Sequence, residues 1–127
     1  MQRVDRRLAV IIEDDAAIAL GVSLRLIHEG FETLTAEDGA SGLDLIFEHH
    51  PELVVLDVRM PKMNGLQVLR QMRLKMSESA PPVLMLSASL QDEQAALDAG
   101  AAYFLSKPYR SSALVDAIHS LQLSIHL

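Results

Sequence analysis

Residues 54–65 read VVLDVRMPKMNG. The apolar run suits a strand buried on both faces, yet it stops at one carboxylate, Asp57, leaves through Met60-Pro61 and turns at Asn64-Gly65. Continuous apolar runs of this kind belong to central parallel strands covered by helices on both sides. Three more such runs occur at Leu8–Ile12, Val83–Leu86 and Ala102–Leu105, and all are expected to be central. Phe31–Ala36 alternates instead and is expected at a sheet edge.

Helical patterns lie between these runs. Ile18 and Val22 sit one turn apart, Leu43 recurs with Ile46 and Phe47, Leu66 with Leu69, Met72 and Met76, and Leu114 with Ile118, Leu121 and Ile125. Asp15, Asn64 with Gln67, and Ser89 with Asp92 are suited to cap the first, third and fourth helices, while Gly30 and Gly100 are suited to end the first and fourth. Strand and helix patterns alternate five times over residues 1–127, with a folded core at about 8–123 and no linker or repeat. The expectation is a single α/β domain, doubly wound, with right-handed crossovers. Ligands of such sheets bind outside the carboxyl ends of the strands, near the topological switch point.

That rule brings four stretches to one edge. The first strand exits at Glu13-Asp14-Asp15, the third at Asp57, the fourth at Ser87 and the fifth at Ser106-Lys107-Pro108. Each has an ordinary explanation taken alone. An Asp after a strand caps the next helix, a Ser makes a turn and a Lys is solvated surface. The five His (28, 49, 50, 119 and 126) lack metal-ligand spacing and read as structural. Convergence is what the ordinary reading leaves unexplained. Two carboxylates about 4 Å apart repel by roughly 4 kcal/mol at an effective dielectric near 20, and Glu13, Asp14 and Asp57 impose more than one such repulsion. A hard divalent cation such as Mg²⁺ relieves it and is commonly shared between carboxylates and a phosphate. Asp57 could then attack phosphorus and become an aspartyl phosphate, with Lys107 and the Ser87 hydroxyl neutralising phosphoryl oxygens.

Composition restricts the alternatives. A chain of 127 residues suffices for one ordinary domain. It has no Cys, which excludes a disulfide framework, a thiolate nucleophile and a zinc ribbon. The net charge of -6 repels nucleic acid and anionic lipid, so no direct nucleic-acid or membrane binding is expected. Leu8–Ile12 is too short for a signal-peptide core, and a cytoplasmic location is expected.

The chain resembles a response-regulator receiver domain over almost its whole length. VIIEDD resembles the family's acidic-pair strand, LVVLDVRMPKMNG its phosphoacceptor strand and loop, VLMLSAS its switch-hydroxyl strand and AYFLSKPY its Lys-Pro strand. The resemblance implies a flavodoxin-like (βα)5 fold with sheet order 2-1-3-4-5. It implies that Asp57 accepts phosphate from a phosphohistidine on a sensor histidine kinase or a histidine phosphotransfer protein, and that the chain is not an enzyme but a signalling domain that assists its own phosphorylation and dephosphorylation. Mg²⁺ would be held by Asp14 directly, by Glu13 through water, by Asp57 and by the backbone carbonyl of Arg59. Lys107 would pair with a phosphoryl oxygen ahead of a cis bond to Pro108, and Ser87 would swing to the phosphate. Phe104 takes the switch-aromatic place, without the hydroxyl of the commonest form, so its switching would rest on packing. Arg59 and Ser89 flank the path of attacking water and would set phosphoryl lifetime, with Arg59 long enough to cover the group.

Two other classes fit poorly. Dehalogenase-type phosphatases need a second acid two residues after the nucleophile, where this chain has Arg59. A flavin-binding protein needs a phosphate loop after the first strand, where EDDAAIA repels phosphate. The remaining alternative is a receiver-like module that binds protein without phosphorylation. By resemblance, output passes to an attached domain or a downstream protein through the fourth helix, fifth strand and fifth helix. LQDEQAALDAG and SSALVDAIHSLQLSIHL carry no Lys or Arg, which disfavours the salt-bridged dimer of one group of DNA-binding regulators. The Ala-rich fourth helix is expected to be locally unstable. Met1 lies close before the first strand, so the chain is expected to be free-standing or the front of a longer regulator.

Overall fold

The computed structural model describes residues 7–126, with side chains described through residue 122. Strands β1 (Arg7–Ile12), β2 (Phe31–Ala36), β3 (Leu53–Asp57), β4 (Val83–Ser87) and β5 (Tyr103–Ser106) alternate with helices α1 (Ala16–His28), α2 (Gly39–His49), α3 (Gly65–Met76), α4 (Asp92–Asp98) and α5 (Ser111–His126). All strand pairs are parallel, in the order β2-β1-β3-β4-β5. The order reverses direction at β1, so the crevice between the carboxyl ends of β1 and β3 is the switch point.

Alternate residues of each strand feed two cores. Ala9, Ile11, Val55, Leu84 and Leu86 meet Val22 and Leu26 of α1 and Leu114, Ile118 and Leu121 of α5. Val10, Ile12, Val54, Leu56 and Met85 meet Ile46 of α2 and Val68, Leu69 and Met72 of α3. Apart from Arg7 at the start of β1 and the polar ends Asp57 and Ser87, β1, β3 and β4 are apolar because each of their faces lies under helices. β2 is the expected edge. β5, whose apolar run by itself reads as central, is the opposite edge, as the implied order 2-1-3-4-5 places it, and only Phe104 of its four residues is buried.

Helix ends follow local chemistry. Asp15 accepts from the amides of Ala17 and Ile18, and Asn64 with Gln67 forms the expected reciprocal capping box. Gly30 (φ 96°) and Gly100 (φ 104°) end α1 and α4 in the left-handed region. The expected cap of α4 is corrected. The helix begins at Asp92, and the preceding Gln91 makes no side-chain cap bond. Ser89 Oγ accepts only from the Gln91 amide at 3.3 Å, and the Asp92 carboxylate is used elsewhere. α4 buries Ala96 alone of its residues. α5 continues three residues past the expected core end, to His126; the side chains of Ile125 and His126 lie outside the described ones.

Candidate functional site

The polar exits meet at the crevice. Glu13 follows β1 directly and Asp57 closes β3; they are 2% and 4% exposed, deep burial for carboxylates. Asp14 is exposed beside them, and carboxylate oxygens of all three lie within 4.8 Å of one another. The turn after β3 explains how Asp57 is fixed. Val58 donates to the Leu86 carbonyl (2.9 Å), Arg59 N to Asp57 Oδ1 (3.3 Å) and Gly65 N to the Val58 carbonyl (2.9 Å). A Cβ on Gly65 would stand 2.3 Å from the Asp57 carbonyl oxygen, so only glycine lets the turn close this tightly over the strand end.

Lys107 arrives from the far edge. Its amide donates to the Ser87 carbonyl at 2.7 Å, the Lys107-Pro108 bond is cis as expected, and its Nζ lies 2.8 Å from Glu13 Oε1 and 3.3 Å from Asp57 Oδ2. One ammonium thus neutralises part of a cluster of three carboxylates. Burial disfavours its charge, but the hydrogen bond to Glu13 and the charges of Asp57 and Glu13 outweigh that and hold its pKa above the ordinary value. Burial pushes the Glu13 carboxyl up, against the pull of Lys107, and Asp57 adds to the rise. The Asp14 carboxyl is raised by partial desolvation and then by its hydrogen bond with Glu13. Both acids are held reluctant to ionise in the absence of a further cation. The donor set consists of carboxylate oxygens, which suits Mg²⁺ and not a soft transition metal.

Ser87 is fully buried at the end of β4. Its hydroxyl donates to Asp92 Oδ2 at 2.5 Å and accepts from the Ser89 amide at 3.1 Å. Arg59 grips the same carboxylate with both edges of its fork, Nε to Oδ2 at 2.8 Å and Nη2 to Oδ1 at 3.0 Å. Arg59 is therefore turned toward α4 when Asp57 carries no phosphoryl group. Phe104 is packed in the core with Met85 and Ala96, 9% exposed, so in this arrangement little burial remains for it to gain.

Two further residues escaped the sequence reading. Asp92 had been assigned only to a helix cap, and its contact with Arg59 spans 33 positions, beyond any local pattern. Tyr109 packs beside the site, and burial raises its hydroxyl pKa. Its signal was the Lys-Pro-Tyr run itself. His28, His49, His50 and His119 are exposed and remote from the crevice, as read.

Among the described residues no helix is long and apolar enough to cross a membrane. A family model described as the response regulator receiver domain matches residues 9–119. Response regulator MprA of Mycobacterium sp. (strain KMS) is 37% identical over 114 residues, 88% of this chain and 49% of that protein. Cell cycle response regulator CtrA of Brucella ovis is 36% identical over 114 residues, 88% of this chain and 48% of that protein. The chain thus spans about half the length of these curated relatives. Among solved structures, Vibrio cholerae chemotaxis protein CheY4 superposes with a TM-score of 0.83 at 26% identity, covering 92% of this chain and 99% of that one. A CheY-like receiver domain protein from Methanospirillum hungatei gives 0.86 at 25% identity, covering 96% and 98%. With the acidic crevice, the β-strand order and the matched span in agreement, the chain belongs to the response regulator receiver domains, the signalling domains of two-component systems.

Proposed function

We propose that this domain receives a phosphoryl group on Asp57 from a phosphohistidine of a sensor histidine kinase or histidine phosphotransfer protein. The observation that carries the reading is the placement of the Lys107 ammonium between two buried carboxylates, Glu13 and Asp57, with exposed Asp14 completing the cluster. In the transfer, an Asp57 oxygen bonds to phosphorus as the phosphorus–nitrogen bond breaks, and the imidazole leaves with that electron pair. Glu13, Asp14 and Asp57, with the Arg59 carbonyl, would hold Mg²⁺, which neutralises phosphoryl oxygens when bound. Lys107 is within reach of Asp57 to pair with one such oxygen, and Ser87 can donate to another once its hydroxyl turns.

Output then passes through α4, β5 and α5 to an attached domain or a downstream protein. Arg59 and Ser89 flank the approach to Asp57 and tune phosphoryl lifetime, Arg59 only after it leaves Asp92. Incubation with acetyl phosphate and Mg²⁺, followed by intact mass spectrometry, tests the central step. One acid-stable, base-labile phosphoryl adduct is expected on the wild type and none on Asp57→Asn. An adduct at equal yield on Asp57→Asn refutes the assignment, and no adduct on the wild type leaves the phosphorylation-independent module as the reading.

A further inference from the structure

The Ser87 hydroxyl has a single proton to donate. In this structure that proton is directed at Asp92 Oδ2, 2.5 Å away, at the first residue of α4. It cannot at the same time serve an anion on Asp57. Asp92 is fixed in turn by the two-pronged Arg59 contact, and Arg59 stands two residues after Asp57 in the same turn. A short knot therefore ties together the end of β4, the loop leaving the phosphoacceptor and the start of α4.

The ordinary explanation of Asp92 is an acid in the first turn of a helix with a surface ion pair. An exposed pair of that kind contributes little. Its side chain is only 13% exposed, however, and it accepts from a hydroxyl with no exposure at all. Burying one acceptor against one donor fixes the direction of that donor.

We propose that Asp92 is a positioning residue, the resting acceptor that holds the Ser87 hydroxyl away from Asp57 and that a phosphoryl group must displace. This inference rests on the phosphorylation of Asp57 proposed above. Displacement has a structural outlet, because α4 buries only Ala96 and the Ser87 bond is one of the few ties at its first residue. Loss of that tie loosens the amino end of α4, so one proton switching acceptors carries the state of Asp57 to the helix.

The test is the initial rate of Asp57 phosphorylation by acetyl phosphate at saturating Mg²⁺, in the wild type, Asp92→Ala, Asp92→Asn, Ser87→Ala and the Asp92→Ala/Ser87→Ala double variant. Removing one net hydrogen bond from the resting state alone is expected to accelerate Asp92→Ala on the order of three- to tenfold. Asp92→Asn, which keeps an oxygen acceptor without the charge, falls between it and the wild type. The acceleration disappears in the Ser87→Ala background, a dependence that a general loosening of α4 does not produce. Asp92→Ala at or below the wild-type rate overturns the inference, as does equal acceleration with and without Ser87. Should Asp92→Ala fail to fold, Asp92→Asn decides alone, and an unchanged rate there overturns it. Failure of the wild type to label strikes the phosphoacceptor reading itself, whereas a labelled wild type with an unresponsive Asp92→Asn strikes only the role of Asp92.

Discussion

Replacing Lys107 by Met keeps the apolar stem and removes the charge, so it isolates what the ammonium does for the crevice. Nζ lies 2.8 Å from Glu13 and 3.3 Å from Asp57, and those carboxylates are almost without solvent. Breaking a buried pair by removing one partner costs about 3 to 5 kcal/mol. Two features reduce that figure here. The crevice is open on the Asp14 side, and Glu13, already raised by burial, can take up a proton when its partner is lost. We therefore expect a loss of about 2 to 3 kcal/mol at pH 7.5, a fall in Tm of roughly 10 °C for a domain of this size.

The pH dependence gives the sharper test. Glu13 is raised above its ordinary 4.5, so it favours the folded state at low pH and costs stability once pH rises past that value. The Lys107 contribution has the same sign in a higher window: fully present below 10.5, it is lost only as pH rises through its elevated value. Near pH 7.5 the wild type is protected by Lys107, while the Met variant must either leave its carboxylates unopposed or take up a proton on Glu13. As pH falls toward 5 the variant protonates Glu13 and the gap to the wild type should shrink to below about 1 kcal/mol. Urea melts of both proteins at pH 7.5 and 5.0 measure this directly. At pH 7.5, millimolar Mg²⁺ should also stabilise the variant more than the wild type, since the two cations relieve the same repulsion. A deficit of equal size at both pH values, insensitive to Mg²⁺, would show that Lys107 acts by packing and refute the electrostatic account.

Three further outcomes follow from the same geometry. Mg²⁺ at ten times its Kd should stabilise the wild type by about 1.4 kcal/mol, and Asp14→Ala should lose at least half of that in thermal melts; an undiminished response places the cation elsewhere. Gly65→Ala should cost about 1 to 3 kcal/mol, because its Cβ meets the Asp57 carbonyl, whereas Gly21→Ala, with nothing within 4 Å in the body of α1, should gain about 0.5 to 1 kcal/mol in denaturant melts. Phe104→Ala should cost about 3 to 4 kcal/mol in the unphosphorylated protein, since the ring is already in the core; a loss below about 1 kcal/mol in urea melts would mean that its packed position contributes little.

Much of this was legible in the chain because parallel sheets convert strand ends into neighbours. Once the apolar runs were read as strands, Glu13, Asp14, Asp57, Ser87 and Lys107 had to meet at one edge, and Lys107 does reach Glu13 across 94 positions. The Asp15 cap, the capping box of α3 and the positive-φ glycines were legible for a different reason, since their partners lie within a few residues. Errors fell where a decision depended on exposure. The run at Ala102–Leu105 resembles those of β3 and β4, and nothing in four apolar letters tells that no strand covers its outer edge.

The side chains whose resting partners the sequence left open share another physical cause: each can serve two acceptors or occupy two sites, and sequence names the group without deciding between them. Arg59 can in principle lie over Asp57 or reach Asp92, and Ser87 can donate to either carboxylate. Asp57 is already met by Lys107, at 3.3 Å, and by the Arg59 amide, whereas among the described residues Asp92 has no other side-chain donors than these two. The hydroxyl and the guanidinium go where the carboxylate is otherwise unsatisfied, since a buried acceptor left without donors costs about 1 to 3 kcal/mol. A phosphoryl group on Asp57 reverses that balance by adding about two negative charges and strong acceptor oxygens on the near side. Under the proposed phosphorylation, the resting arrangement and its alternative would differ by which anion is poorer in donors.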